Sequence, residues 1–344
     1  MCQLAAYIGD RSIGKTLLDC LRYQEAYFGS HATGLGTIDD GSVRITKEPG
    51  NVDHVIANSD IMKLTGTTGM AHSRFGLSGV TDPRYNRGKN AHPFINVDGN
   101  IALMHNGIIS NYEGYWKELS KSYEFESYNE DINYITDSEV AVHMVDQKVK
   151  QGMSMADSVR EAANSLTGMV LLGAMSIEEP ETIYITNWIQ ACTFAKGDNE
   201  TMFSSSPYGF EDVKEEMDVF SAPRNSFIKM TRDRIEISKL DGNRNAGTTK
   251  PRKSAFKDML YGLLSEKGPM HCIDIIISMT EMDVGKVYGM DETEWKEFVK
   301  VGWGDQNEVI DVLEQLTEEG SLVKTLERRI EGGNVVPRYV WSHP

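Results

Sequence analysis

The chain has 344 residues, a formal net charge of −16 and a hydrophobic fraction of 40%. That length predicts one large core with a smaller module beside it, and the acidic balance, which repels phosphate backbones, makes nucleic acid a poor partner. With no uncharged apolar run of spanning length and no basic-then-apolar leader, the expectation is a soluble cytoplasmic protein without a membrane segment; the four scattered cysteines, Cys2, Cys20, Cys192 and Cys272, are too few for a disulfide scaffold, a zinc site or an iron–sulfur cluster.

In chain order, a short strand at 3–9 precedes an amphipathic helix from Ile13 to Phe28, with Leu17, Leu18, Leu21, Tyr27 and Phe28 at helical spacing. Two strand-like runs follow around Asp40-Gly41, a strong hairpin signal. A helix at 52–63, a strand entering AHSRFGLSG, a Gly/Asn/Arg-rich loop at 81–91 and a second hairpin around Asp98-Gly99 come next. Helices are predicted at 111–121, 137–151 and 154–166, then a run of strands from 167 to 238. Helices between two groups of strands predict layered sheets and helices, an α+β architecture rather than repeated βαβ units.

The polar stretch 240–254 reads as a linker between residues 1–239 and 255–344. Beyond it, helices at 254–265, 271–280 and 305–320 and two strands joined at Gly332-Gly333-Asn334 predict a winged helix. Residues 250–344 carry 12 basic against 17 acidic side chains, which favours protein docking or dimerisation over DNA binding, although Arg328-Arg329 keeps DNA as an alternative.

Cys2 taken alone reads as a small buried apolar residue. With Met1 removed, as expected before a small second residue, Cys2 carries a thiol and its own α-amine, whose usual pKa of about 7.7–8.0 suits a general base. Three further stretches stand downstream: AHSRFGLSG (71–79), HPFINVDGNIALMHNGIISNYE (92–113) and ITDSEVAVHMV (135–145).

With MCQLAAYIG at the front, these stretches resemble the class II glutamine amidotransferase domain, the N-terminal-nucleophile type found in glucosamine-6-phosphate synthase, amidophosphoribosyltransferase and glutamate synthase. The resemblance spans about residues 1–235 and implies a four-layer αββα sandwich. It implies that Cys2 attacks the side-chain amide of glutamine to give a thioester, that Asn106 and the Gly107 N–H form the oxyanion hole, and that Arg74 and Asp137 hold the substrate carboxylate and ammonium. No cofactor or metal is implied. Because class II domains feed ammonia to a synthase, the expectation is a stand-alone subunit serving a separate synthase, glutamate-synthase-like by first choice, with a homodimer among its assemblies.

Each motif also has a plainer reading. Asn106-Gly107 matches a tight turn, and Thr136-Asp137-Ser138-Glu139 a helix capping box. Arg74 could be a structural ion-pair former; His72, His92 and His105 read as packing or hydrogen-bonding residues, and Cys20 and Cys272 as structural. The chain departs from the family at Gln3 (usually Gly), at Phe75 (usually Trp or Tyr), at Ser78 in GLSG, and at His31 and Thr33 in FGSHATG, where Asp and Ala are usual. Two other functions stand beside the leading one: a glutamine-sensing regulator with a DNA-binding winged helix, and an N-terminal-nucleophile amidase for another amide.

Overall fold

The computed structural model describes residues 2–76, 82–243, 253–280, 285, 289–293, 306–331 and 334–344. Met1, Ser78, most of the 240–254 stretch and the turn at Gly332-Gly333 lie outside the described residues.

β1 (Gln3–Ile8) is buried along its whole length and leads into α1 (Ile13–Phe28), the span that the periodicity predicts. Gly29, at φ 87°, ends α1 and donates its N–H to Glu25 O. The hairpin of β2 (Ala32–Asp39) and β3 (Ser42–Pro49) turns at Asp40 and Gly41, with φ of 48° and 67°, as a two-residue turn matched to strand twist requires. α2 (Val52–Asn58) starts on Asn51, whose side chain accepts from His54 N–H. The helix expected to reach residue 63 stops at Ser59: its hydroxyl donates to Val55 O and accepts from Ile61 N–H, so a separate 3₁₀ turn, Ile61–Lys63, follows.

β4 (Thr68–Arg74), the short β5 (Phe94–Ile95) and β6 (Ile101–Ile109) come next. Three helices follow: α3 (Tyr112–Leu119), α4 (Asp137–Lys150) and α5 (Met155–Ser165). The predicted strand-rich region resolves into β7 (Gly168–Ser176), β8 (Thr182–Asn187), β9 (Thr193–Lys196), β10 (Thr201–Ser204), β11 (Asp218–Ser221), β12 (Ser226–Thr231) and β13 (Ile235–Lys239).

These strands form two antiparallel sheets, ordered β11-β9-β10-β1-β4-β2-β3 and β13-β12-β8-β7-β6-β5. Strand alternation sends Leu4, Ala6 and Ile8 to one face of β1 and Ala5 and Tyr7 to the other. The first set packs with Met70, Met104, Leu171, Phe203 and Ile228 between the sheets; the second packs under Leu17 and Leu21 of α1 and Val55 of α2. On the far side, Leu103 and Leu172 meet Val142 and Val145 of α4 and Val159 of α5. The layers therefore run helix, sheet, sheet, helix. Among the described residues no helix is long and apolar enough to cross a membrane.

The C-terminal segment contains α6 (Lys253–Lys267), β14 (Met270–His271), α7 (Cys272–Thr280), α8 (Gln306–Glu318), β15 (Val323–Glu331) and β16 (Asn334–Ser342). The helices lie where the sequence predicts them, and β14 adds a third strand to the expected hairpin in the order β14-β16-β15. Their core, with Phe256, Leu260, Ile275, Ile310, Leu313 and Trp341, is closed by Tyr27 and Phe28 from the end of α1.

Candidate active site

The N-terminal end of β1 lies beside the C-terminal end of β4: Gln3 pairs with Ser73, so Cys2 and Arg74 emerge as neighbours from the same edge of the paired strands. From the second sheet, β6 reaches the same end. His72 Nε2 donates to His105 O at 3.0 Å, and Ile109 N–H donates to the Asp137 carboxylate at 2.7 Å. The start of α4 is thus tied to β6.

Cys2 is partly exposed, and its Sγ lies 3.8 Å from Phe75 O. Burial pushes its thiol up, Arg74 pulls it down, and Asp137 pushes it up again, so all three groups share one electrostatic environment. A thiol held protonated in this way needs a base before it can attack. Cys20 and Cys272 are fully buried and pushed up to about 12 by that burial, and Cys192 is raised by burial as well. They are packing residues.

Arg74 is buried, with Nη1 donating to Asn86 Oδ1 at 2.6 Å and Nη2 to the Tyr134 hydroxyl at 3.5 Å. Both of these partners are neutral, and among the described residues no ion pair holds the guanidinium. Asp137 stands at the first position of α4, where the helix dipole favours a carboxylate. One of its oxygens takes the Ile109 N–H and the other lies 3.1 Å from Ser138 Oγ.

Asn106 and Gly107 are not a tight turn. They sit inside β6, paired with Leu171 and Val170 of β7. Gly107 adopts φ 133°, and a Cβ there would lie 1.9 Å from Met169 O, so the position admits only glycine. Gln190 Nε2 donates to Asn106 O at 2.7 Å. The Asn106 side chain is buried, and its Oδ1 has no hydrogen-bond partner in the structure.

The capping box at 136–139 is also not formed. Thr136 occupies the N-cap position without a side-chain cap, and its hydroxyl instead accepts from Asn90 Nδ2. Glu139 turns away to accept from Glu126 N–H, Ser127 N–H and Ser127 Oγ–H, which anchors the 125–128 loop. Tertiary donors in a buried setting outcompete the local reach-back.

The three histidines act as packing and hydrogen-bonding groups. His72 and His92 stack at 3.9 Å, and His105 lies 2.9 Å from Ser138 Oγ through Nδ1 and 3.2 Å from Met169 O through Nε2. Burial drives all three down, His72 to about 3, so they stay neutral near pH 7. Among the family departures, Gln3 is fully buried, Thr33 donates to Gly50 O, and His31 stacks on Phe75 at 4.6 Å.

Sequence reading missed Asn86, Tyr134 and Gln190. Tyr134 stands three residues before Asp137 and Asn86 lies in the polar 81–91 loop, so both were near a motif; Gln190 had no local signal.

No protein-family model matches the chain. Among curated proteins, it is 29% identical over 300 residues to the glutamine–fructose-6-phosphate aminotransferase (isomerizing) of Chlorobaculum tepidum, covering 84% of this chain and 46% of that protein. The namesake from Mycolicibacterium paratuberculosis is 30% identical over 255 residues, 72% of this chain and 38% of its own length. That from Methanothermobacter thermautotrophicus is 35% identical over 184 residues, 53% and 29% respectively. The chain spans less than half the length of these relatives. Among solved structures, the glutamine phosphoribosylpyrophosphate amidotransferase from B. subtilis superposes with a TM-score of 0.59 at 15% identity, covering 74% of this chain and 52% of that one. A structure described as the allosteric regulatory enzyme of purine biosynthesis matches with a TM-score of 0.60 at 15% identity and the same coverage, so both share the fold. Sequence relatives, fold and motif order agree: this chain carries a class II glutamine amidotransferase domain.

Proposed function

We propose that the chain hydrolyses the side-chain amide of glutamine to glutamate and ammonia through a Cys2 thioester. The observation that supports this best is the convergence of Cys2, Arg74, Asp137 and the Asn106-Gly107 pair on one end of the two sheets. With Met1 removed, the Cys2 α-amine takes the thiol proton as Sγ bonds to the amide carbon. The developing oxyanion is met by the Asn106 side chain and the Gly107 N–H. The amine returns the proton to the departing nitrogen, ammonia leaves, and water cleaves the thioester to regenerate the thiol. Arg74, steadied by Asn86 and Tyr134, offers the substrate carboxylate its planar fork, and Asp137 receives the ammonium.

Residues 1–239 form the glutaminase domain in this reading, 240–254 the linker and 255–344 a winged helix. The order helix, strand, helix, helix, strand, strand supports the last assignment. The module's acidic balance and its seating on α1 favour protein contact over DNA. In this reading the ammonia acceptor is a separate synthase, glutamate-synthase-like by preference.

The test is glutamate release from glutamine by the Met1-processed protein, with an electrophilic glutamine analogue located by mass spectrometry. Label on Cys2, and loss of turnover in Cys2→Ala, are expected. Label on Cys20, Cys192 or Cys272, or unchanged turnover in Cys2→Ala, overturns the mechanism.

A further inference from the structure

Three separate connections run from the C-terminal module to the strand ends that carry Cys2 and Arg74. The first starts at Arg338 on β16, a buried arginine whose Nη1 donates to Glu25 O at 2.9 Å. Its guanidinium fills the space beside Gly29, where an added Cβ would come within 2.1 Å of it. The buried Glu25 carboxylate accepts from Ser73 Oγ at 2.8 Å and from Val52 N–H at 3.1 Å. Ser73 directly precedes Arg74.

The second connection starts at Asn307 on α8, whose Nδ2 donates to Ser205 O at 3.2 Å. Ser205 Oγ accepts from Leu4 N–H at 2.9 Å, and Ser205 N–H donates to Leu4 O at 3.0 Å, so this line ends two residues from Cys2. The third is Phe75. Its side chain packs on the apolar cluster that the module shares with Tyr27 and Phe28 of α1, while its carbonyl faces the Cys2 thiol.

We propose that Arg338 and Asn307 are positioning residues of the glutamine site, and that the seating of the C-terminal module sets how well Cys2 and Arg74 are held for turnover. The inference rests on the glutaminase reading above. The geometry divides the labour: Arg338 acts through Glu25 and Ser73 on the carboxylate-binding Arg74, and Asn307 acts through Ser205 on the strand that carries the nucleophile. The amidotransferase domain therefore works as one unit with the module, and a partner that docks on the module reaches the site through these contacts without touching glutamine.

The experiment measures kcat and KM for glutamine, melting temperature, and amide hydrogen exchange across β1 and β4, all in the full Met1-processed chain. Arg338→Met is expected to raise KM by about tenfold, the loss of one charged hydrogen bond's ordering effect, with kcat changing less. Arg338→Lys, which keeps a charged donor, is expected to recover part of that loss. Asn307→Ala is expected to lower kcat several-fold with KM near its original value, and exchange in β1 is expected to quicken. Arg328→Ala, exposed on the same module, should match the unaltered protein.

A purely structural role would instead lower activity only in step with the folded fraction read from the melting curves, leaving KM unchanged in Arg338→Met and kcat per folded molecule and β1 exchange unchanged in Asn307→Ala. That result, or kcat and KM within twofold of the unaltered protein in both Arg338→Met and Asn307→Ala, overturns the proposal. If Arg338→Met fails to fold, Asn307→Ala alone decides. If the unaltered protein does not hydrolyse glutamine, the glutaminase reading falls, while exchange in β1 and β4 still tests the positioning.

Discussion

Replacing Gly107 with alanine isolates the geometry of the proposed oxyanion hole. The added Cβ would stand 1.9 Å from Met169 O and 2.6 Å from Met169 C, with Gln190 Nε2 at 2.8 Å. Contacts of this kind are not tolerated below 3.0 Å, so β6 and β7 must part locally by about 1 Å. The positive φ adds about 1–2 kcal/mol for any residue with a Cβ, and overpacking against backbone about 1–3 kcal/mol more. The expected destabilisation is therefore about 2–5 kcal/mol, a fall in melting temperature of about 5 °C or more for a chain of this size. The same displacement swings the Gly107 N–H and the Asn106 side chain away from the reacting carbonyl, and losing one such donor lowers kcat by about 10²-fold or more. Gly99→Ala is the matched control: Gly99 also has a positive φ, 71°, but nothing lies within 4 Å of its Cβ position. It should lose a little stability and no activity. Scanning calorimetry with a glutamate-release assay reads both quantities. Gly107→Ala with kcat within twofold of the unaltered protein and an unchanged melting temperature would refute the reasoning.

Four further outcomes are expected. Asn106→Ala should lower kcat by about 10²–10³-fold in steady-state assays with a much smaller change in KM, because its amide is assigned to the developing oxyanion. Arg74→Lys should raise KM for glutamine, since an ammonium cannot reproduce the planar fork; a KM unchanged in steady-state assays would remove Arg74 from the carboxylate site. Burial raises Glu25 to about 7 against an ordinary value near 4.5, so the folded state binds the extra proton and the cost of ionising Glu25 grows as pH rises between those values. Melting curves should thus show Glu25→Gln gaining on the original protein by up to about 3 kcal/mol from pH 4.5 to pH 7.5, and a pH-independent difference would contradict the burial argument. His72, held down to about 3 by burial, works in the opposite sense: its neutral form is fully accommodated above the ordinary histidine value, and stability drains as pH falls below about 6.5. Acid melting curves should be shallower in a His72→Gln variant.

Local patterns carried much of this protein. The apolar spacing of Ile13–Phe28 located α1, Asp40-Gly41 located a hairpin, and the four motifs supplied Cys2, Arg74, Asn106, Gly107 and Asp137 as candidates. The helix and the hairpin succeed because helix period and turn conformation each depend on a few adjacent residues. Two of the plainer local readings, the turn and the capping box, were overridden by tertiary partners. Asn106-Gly107 has the composition of a turn but is held in a strand by pairing with β7, and Glu139 could cap its own helix but finds three better-placed donors in the 126–127 backbone and Ser127.

What the sequence alone determined is most of the elements and the candidate residues of the site. What only the tertiary structure decided is adjacency: that β1 lies beside β4 so that Cys2 meets Arg74, that Gln190 supports Asn106 from 84 residues away, and that Arg338 reaches Glu25 across 313 residues. Such contacts leave no periodic trace in the chain. They arise because two sheets and a module must bury their apolar faces together, and the polar groups caught at those seams must then find partners wherever the packing places them.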